Sequence, residues 1–277
     1  MATSSGTGDG DGRSVKPARS SLRRHLESAL PTLLVVASII LFWEFFNVIT
    51  GEPEYVLPPL HKILVTVIDR AGDRFLPAAW VTLQEMLLGF AFGVGSGIVL
   101  GTLIFHFKTM RRALLPIVIS TQAVPVIAIA PLLIMWFGFG MAPKVIVVAL
   151  VTFFPVAVNT ISGLASVERE TINLMHSFGA NERKIFSMVR FPAALPFIFA
   201  GVKNAAAISA IGAIVGEWVG AHKGLGPVMI AANAGFKTDV IFAAIFYLAF
   251  MAIALFLSVG VIERLAIPWH FMNRSRK

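Results

Sequence analysis

Apolar runs of about twenty residues recur along this chain, each long enough to cross a hydrocarbon core of about 30 Å as a helix. Six segments have that pattern: Ser28–Thr50, interrupted only by Glu44; Met86–Phe105; Ala113–Ala142; Val145–Val167; about Pro192–Gly216, interrupted only by Lys203; and Val240–Ile262. None alternates apolar and polar residues as a membrane β-barrel strand must. The pattern predicts an all-α, polytopic transmembrane helical bundle of about six spans.

The stretches between the runs are polar. Residues 1–24 are rich in Ser, Gly, Asp and Arg and predict a solvated, disordered tail, leaving 25–277 as one transmembrane domain. The first apolar run exceeds a signal-peptide core and lacks a small-x-small site at its end, so it is expected to stay as a helix. After it, Pro58-Pro59 opens a stretch with Leu60, Ile63, Leu64, Val67 and Ile68 on one helical face. A short helix lying flat on the outer surface is expected there.

Composition agrees with lipid as the solvent: 57% of residues are hydrophobic and 14% charged, against about 25% charged in soluble domains. Net charge is +8, but the basic residues lie scattered between apolar runs, which excludes a nucleic-acid surface. Their distribution sets orientation instead. With the amino terminus inside, sixteen Lys and Arg fall on the cytoplasmic side, six on the other and Lys203 within a span. The positive-inside rule therefore places both termini in the cytoplasm.

Candidate chemistry is sparse. There is no cysteine, and His25, His61, His106, His176, His222 and His270 are isolated, without metal-ligand spacing. No Gly-x-x-x-x-Gly-Lys-Ser/Thr loop is present, so ATP hydrolysis is not expected of this chain, nor is a cofactor. No nucleophile, base and orienting group converge as an embedded enzyme needs. A secondary transporter would keep coupling carboxylates near mid-membrane, whereas Glu44, Glu85 and Glu217 fall near predicted span ends.

Polar residues inside spans need partners away from lipid. Gln122, Asn159, Thr160, Asn204 and Ser209 either bond between helices or line a cavity. Gln122, Asn159, Asn204 and Ser209, with Glu217 at the outer end of the fifth span, are the candidate translocation-pathway residues. Glu217 either faces that cavity or is a solvated interfacial carboxylate beside Trp218. Lys203, about 9 Å above the inner boundary at 1.5 Å per residue, either snorkels to the interface or contacts solute. Glycines 89, 93, 97 and 101 make a side-chain-free stripe, serving a dimer seam or a contact within one subunit.

The longest inside loop, Ser166–Arg190, has helical periodicity. Leu174 and Phe178 lie one turn apart, Gly179-Ala180 offers a reversal, and Ile185, Phe186 and Val189 restart an apolar face ending at Pro192. The segment reads Asn173-Leu174-Met175-His176-Ser177-Phe178-Gly179, then nine residues, then Val189-Arg190-Phe191-Pro192. It resembles the loop of binding-protein-dependent ABC transporter permeases, whose pattern is Glu-Ala-Ala, three residues, Gly, nine residues, Ile-x-Leu-Pro. The opening tripeptide differs; the glycine, spacing and proline match.

Across about residues 40–270 the chain is similar to the subgroup importing nitrate, sulfonates, taurine, thiamine-precursor pyrimidines and riboflavin. The stretches that carry this are Trp43-Glu44, Val56-Leu57-Pro58-Pro59, Thr82-Leu83, Gly89-Phe90, Pro125, Pro131, Gly216-Glu217, Gly224-Leu225-Gly226 and Pro268-Trp269-His270. Trp136-Phe137-Gly138-Phe139-Gly140 and the closing tripeptide look most like the pyrimidine and riboflavin branch. The resemblance implies a type I ABC importer permease fold in the inner membrane, with its core at about 80–264 and a coupling loop at about 166–191. It further implies cytoplasmic ATPase subunits, an external solute-binding protein and a second permease copy, making a homodimer. The implied coupling residues are Leu174, Phe178, Gly179, Ala180, Ile185, Phe186 and Pro192.

Overall fold

A computed structural model describes residues 21–121 and 124–269. Residues 1–20 of the expected tail, the pathway candidate Gln122 and His270 lie outside the described residues. Every regular element among the described residues is helical. The first forms a unit by itself: α1 (Ser21–Thr50) carries an apolar stretch, Leu30–Thr50, none of which is buried. Ser38 and Thr50 return their hydroxyls to carbonyls one turn back, leaving a helix surface suited to lipid.

The second unit starts at Pro53. Pro59 caps α2 (Leu60–Asp69), which buries Ile63, Thr66 and Val67 while Leu64 and Ile68 stay exposed. Sequence reading placed this helix flat on the surface. It docks on the last long helix, α11 (Thr238–Ala266): Thr66 Oγ1 donates to Asp239 Oδ2 at 2.9 Å, and the Tyr247 hydroxyl donates to the Val67 carbonyl. A π-turn at Ala71–Phe75 leads into α3 (Leu76–His106), which begins well before the expected Met86 and so takes in Thr82 and Glu85.

The expected unbroken span Ala113–Ala142 is two helices, α4 (Lys108–Thr121) and α5 (Val126–Phe137). Pro125 lacks the N–H that a continuing helix would use, and Gly138 ends α5 with φ +76°. At 1.5 Å per residue α5 is about 18 Å long, short for a bilayer. Five helices among the described residues are long and apolar enough to cross; the sixth expected crossing is this broken pair.

The remaining elements are α6 (Met141–Ala165), α7 (Arg169–Ser177), α8 (Glu182–Ile185), α9 (Phe191–Trp218), α10 (Leu225–Ala234) and α11 (Thr238–Ala266). A π-turn, Phe186–Arg190, joins α8 to α9, so the helical run passes through Pro192 rather than ending there. The wider turn accommodates the missing proline N–H.

Helix α6 lies between α3 and α9, and small residues set both distances. A Cβ on Gly89, Gly93, Gly97 or Gly101 would stand 2.7–2.9 Å from the carbonyl oxygens of Val145, Ala149, Phe153 and Ala157, one turn of α6 after another. The stripe is therefore a packing seam within the subunit. On the opposite side Gly201, Gly212 and Gly216 of α9 also face α6, where a Cβ would stand 2.8 Å, 3.1 Å and 3.1 Å from the nearest α6 atom. Val156, Leu164, Ala194, Ile198, Val202, Ala205, Ala206 and Val259 fill the core between α6, α9 and α11.

Candidate functional site

The loop following α6 is a built turn. Helix α7 ends with the Ala180 N–H bonded to the Met175 carbonyl at 3.0 Å and the Gly179 N–H to the His176 carbonyl at 2.8 Å. That pair is the Schellman arrangement, which needs a left-handed residue, and Gly179 supplies φ +73°. Asn181 then caps α8 by accepting from the Lys184 N–H at 2.9 Å, while His176 and Glu182 face each other across the turn at 3.3 Å.

The turn divides the predicted coupling residues. Leu174 and Phe178 are 56% and 78% exposed, one turn apart on α7. Ile185, expected to supply apolar contact to a partner, is fully buried, and Phe186 packs half-buried against the α6–α9 core and the Phe191 ring. Ala180 and Pro192 are half-buried within the turn and the entry to α9. These four hold the loop; Leu174 and Phe178 present it. Sequence reading missed Arg190, whose guanidinium donates to the Leu164 carbonyl and stacks 5.1 Å from the Phe105 ring centroid. It joins α3, α6 and α9 at one end of the bundle.

The pathway candidates also separate. Asn159 and Ser209 donate to carbonyls of their own helices, Pro155 at 2.7 Å and Ala206 at 2.7 Å, as Thr160 does to Val156. Such internal bonding satisfies them without a second helix or a cavity. Asn204 is exposed and lines a cavity of about 450 Å³ between α5, α6 and α9, with Leu150, Phe153, Phe154 and Ile208 among its walls. Among the described residues it is the polar side chain of that lining.

Glu217 is fully buried, in neither of its expected settings. Its Oε1 accepts from Thr82 Oγ1 at 2.6 Å and its Oε2 from the Gly226 N–H at 2.5 Å. Thr82 Oγ1 accepts in turn from the Leu225 N–H at 3.0 Å. Beside them Lys144 Nζ meets Glu85 Oε1 at 2.6 Å, with both side chains almost wholly buried. One polar network thus ties α3, α6, α9 and the first turn of α10. Lys203 is also paired: its ammonium meets Glu263 Oε2 at 2.7 Å, joining α9 to α11 rather than snorkelling alone or facing solute.

The chain matches the sequence model of the family described as binding-protein-dependent transport system inner membrane component over residues 93–269. It belongs to that family of ABC importer permeases. The formylaminopyrimidine transport permease protein ThiX of Halalkalibacterium halodurans is 34% identical over 90% of this chain and 98% of its own length. The riboflavin transport system permease protein RibX of Chloroflexus aurantiacus is 34% identical over 92% and 96%. Among solved structures, the permease shares its fold with a chain of the MetNI methionine ABC transporter in an inward-facing conformation, at TM-score 0.59 and 19% identity over 69% of this chain and 95% of that one.

Membership makes the chain a membrane-spanning transport subunit. The permease's buried network then reads as architecture, because a group that carries solute must be reached by it, and Glu217, Glu85 and Lys144 are sealed among helices. No sequence signal paired Glu85 with Lys144: they lie 59 positions apart, on different helices.

Proposed function

We propose that this permease forms half of the translocation pathway of an importer in the inner membrane, completed by a second copy of itself. Cytoplasmic ABC ATPase subunits drive it and an external solute-binding protein feeds it. The observation that carries this reading is the exposed Leu174–Phe178 step on the Gly179 turn. Two large apolar side chains held in water by a rigid motif are a surface made for a partner. The positive-inside count puts this loop and both termini in the cytoplasm, where an ATPase is available.

The solute class is proposed from the Asn204 cavity. Among the described residues its lining holds no cation, so a sulfonate or nitrate there would lose hydration without a charged partner. Two phenylalanine rings and one amide suit a neutral heteroaromatic compound of the pyrimidine or riboflavin type better than taurine or nitrate.

Reconstitution tests the whole reading. The permease alone in proteoliposomes should hydrolyse no ATP; added ATPase and binding protein should give ATP-dependent uptake of riboflavin or a formylaminopyrimidine. Uptake without any ATPase overturns it. Mass measurement in nanodiscs should count two identical permease chains, and an obligatory different permease partner rejects the homodimer.

A further inference from the structure

The outer end of the bundle carries a second cavity, of about 520 Å³, quite unlike the one at Asn204. Its walls are Pro77, Ala78 and Val81 of α3 and Pro227 and Val228 of α10, and its rim carries the cations Arg74 and Lys223 together with His222. Arg74 sits on the π-turn before α3 and is half-buried; His222 and Lys223 are exposed on the loop between α9 and α10. Elsewhere in this unit Lys62, Lys144 and Lys203 each meet a carboxylate. Among the described residues none of Arg74, His222 and Lys223 does.

We infer that this pocket receives an acidic side chain of the external solute-binding protein, an inference that rests on the partner and orientation proposed above. The outer side holds six Lys and Arg in total, and two of them, on segments about 150 positions apart in sequence, converge here. Cations drawn together against mutual repulsion and left without a carboxylate are complementary to an anion supplied from outside.

The pocket is also rigid. Gly224, at φ +119°, passes so close to the Glu217 carboxylate that a Cβ would stand 2.1 Å from Oε1. The Leu225 and Gly226 N–H groups are bonded into the same buried network, while the His222 ring lies tilted beside the Phe139 ring, 6.2 Å between centroids. The loop therefore presents Lys223 in a fixed place, which reduces the entropy lost on docking. A docked carboxylate would touch a loop tied through Glu217 and Thr82 to α9 and α3, two helices of the bundle core. A free anionic solute is the weaker occupant, because the cavity at Asn204 has no cation to receive it next.

The test uses the permease–ATPase complex in phosphatidylcholine nanodiscs, titrated with the transporter's own solute-loaded binding protein. Docking should weaken as salt rises. Arg74→Glu and Lys223→Glu should each raise the Kd at least tenfold, Lys223→Gln less, with melting temperature and basal ATP hydrolysis unchanged. Zero-length carbodiimide coupling should join Lys223 to an aspartate or glutamate of the binding protein. An unchanged Kd in the double reversal overturns the inference while leaving the importer reading intact. So does a reversal that strips co-purified phosphatidylglycerol without altering docking, which assigns the pocket to a lipid headgroup. If the unaltered complex recruits no binding protein at all, the proposed partner falls and the inference with it.

Discussion

The two ends of α6 and α9 solve opposite problems. At one end, Glu85, Lys144 and Glu217 are charged groups drawn into the protein, each with a hydrogen-bond or ion-pair partner. At the other end, Leu174 and Phe178 are large apolar groups left exposed by a glycine-capped turn. A charge removed from water is tolerated only where partners replace its hydration, so the buried network is internal architecture. An exposed apolar side chain gains nothing from its own chain, which is what supports the proposed docking of a partner on the Leu174–Phe178 step. Residue chemistry taken alone suggests the reverse, with charges as functional and leucine and phenylalanine as structural.

Breaking the buried network should have the largest effect. Lys144→Met leaves the buried Glu85 carboxylate without its cation, beside Glu217, and should destabilise the permease by about 3–5 kcal/mol, read as a lower melting temperature in detergent and reduced membrane yield. Adding Glu85→Gln to Lys144→Met should recover much of the loss, because residue 85 then carries no charge beside Glu217, which keeps its hydrogen bonds from Thr82 and Gly226. If Lys144→Met melts like the unaltered chain, the network is not what joins these helices.

Gly179→Val sharpens the contrast from the other end. A Cβ at Gly179 meets no atom within 4 Å, so the penalty is the positive φ alone, about 1–3 kcal/mol and confined to the loop. The spans should still insert at normal levels, while solute-stimulated ATP hydrolysis and uptake are lost. Equal loss of protein and of transport would show that the turn also holds the bundle together.

Phe178→Ala should change stability by no more than about 0.5 kcal/mol, since the ring is exposed. Its effect should fall on assembly: if the ring is a docking anchor, truncation costs about 2 kcal/mol or more of ATPase binding, roughly a thirtyfold weaker Kd. Ile185→Ala should do the opposite, lowering stability through a buried cavity and affecting the ATPase only through the misplaced loop.

The smallest structural effect is expected from Asn204→Ala, which removes an exposed amide facing the cavity. Melting and ATPase docking should not move, and uptake of the cognate solute should fall. Ser209→Ala, on the same helix but buried and bonded to Ala206, serves as the control and should leave uptake unaltered.

Hydropathy along the chain was enough to identify an all-α membrane protein, to find the long helices to within a turn or two at most ends, and to single out the loop before Pro192. Those features are local: a helix crosses lipid because its own residues are apolar and its own backbone bonds are internal. The broken α4–α5 pair was legible only in part, because Pro125 sits in a run whose hydropathy never falls. What the sequence could not decide is which polar side chains face one another. Asn204 and Ser209 lie on one helix with similar chemistry, yet the helices packed beside α9 leave one facing a cavity and bury the other. Thr82 and Glu217, 135 positions apart, meet because glycines let α3 and α9 close on either side of α6. Such pairing depends on the rotation and register of neighbouring helices, which only close packing of the whole bundle sets.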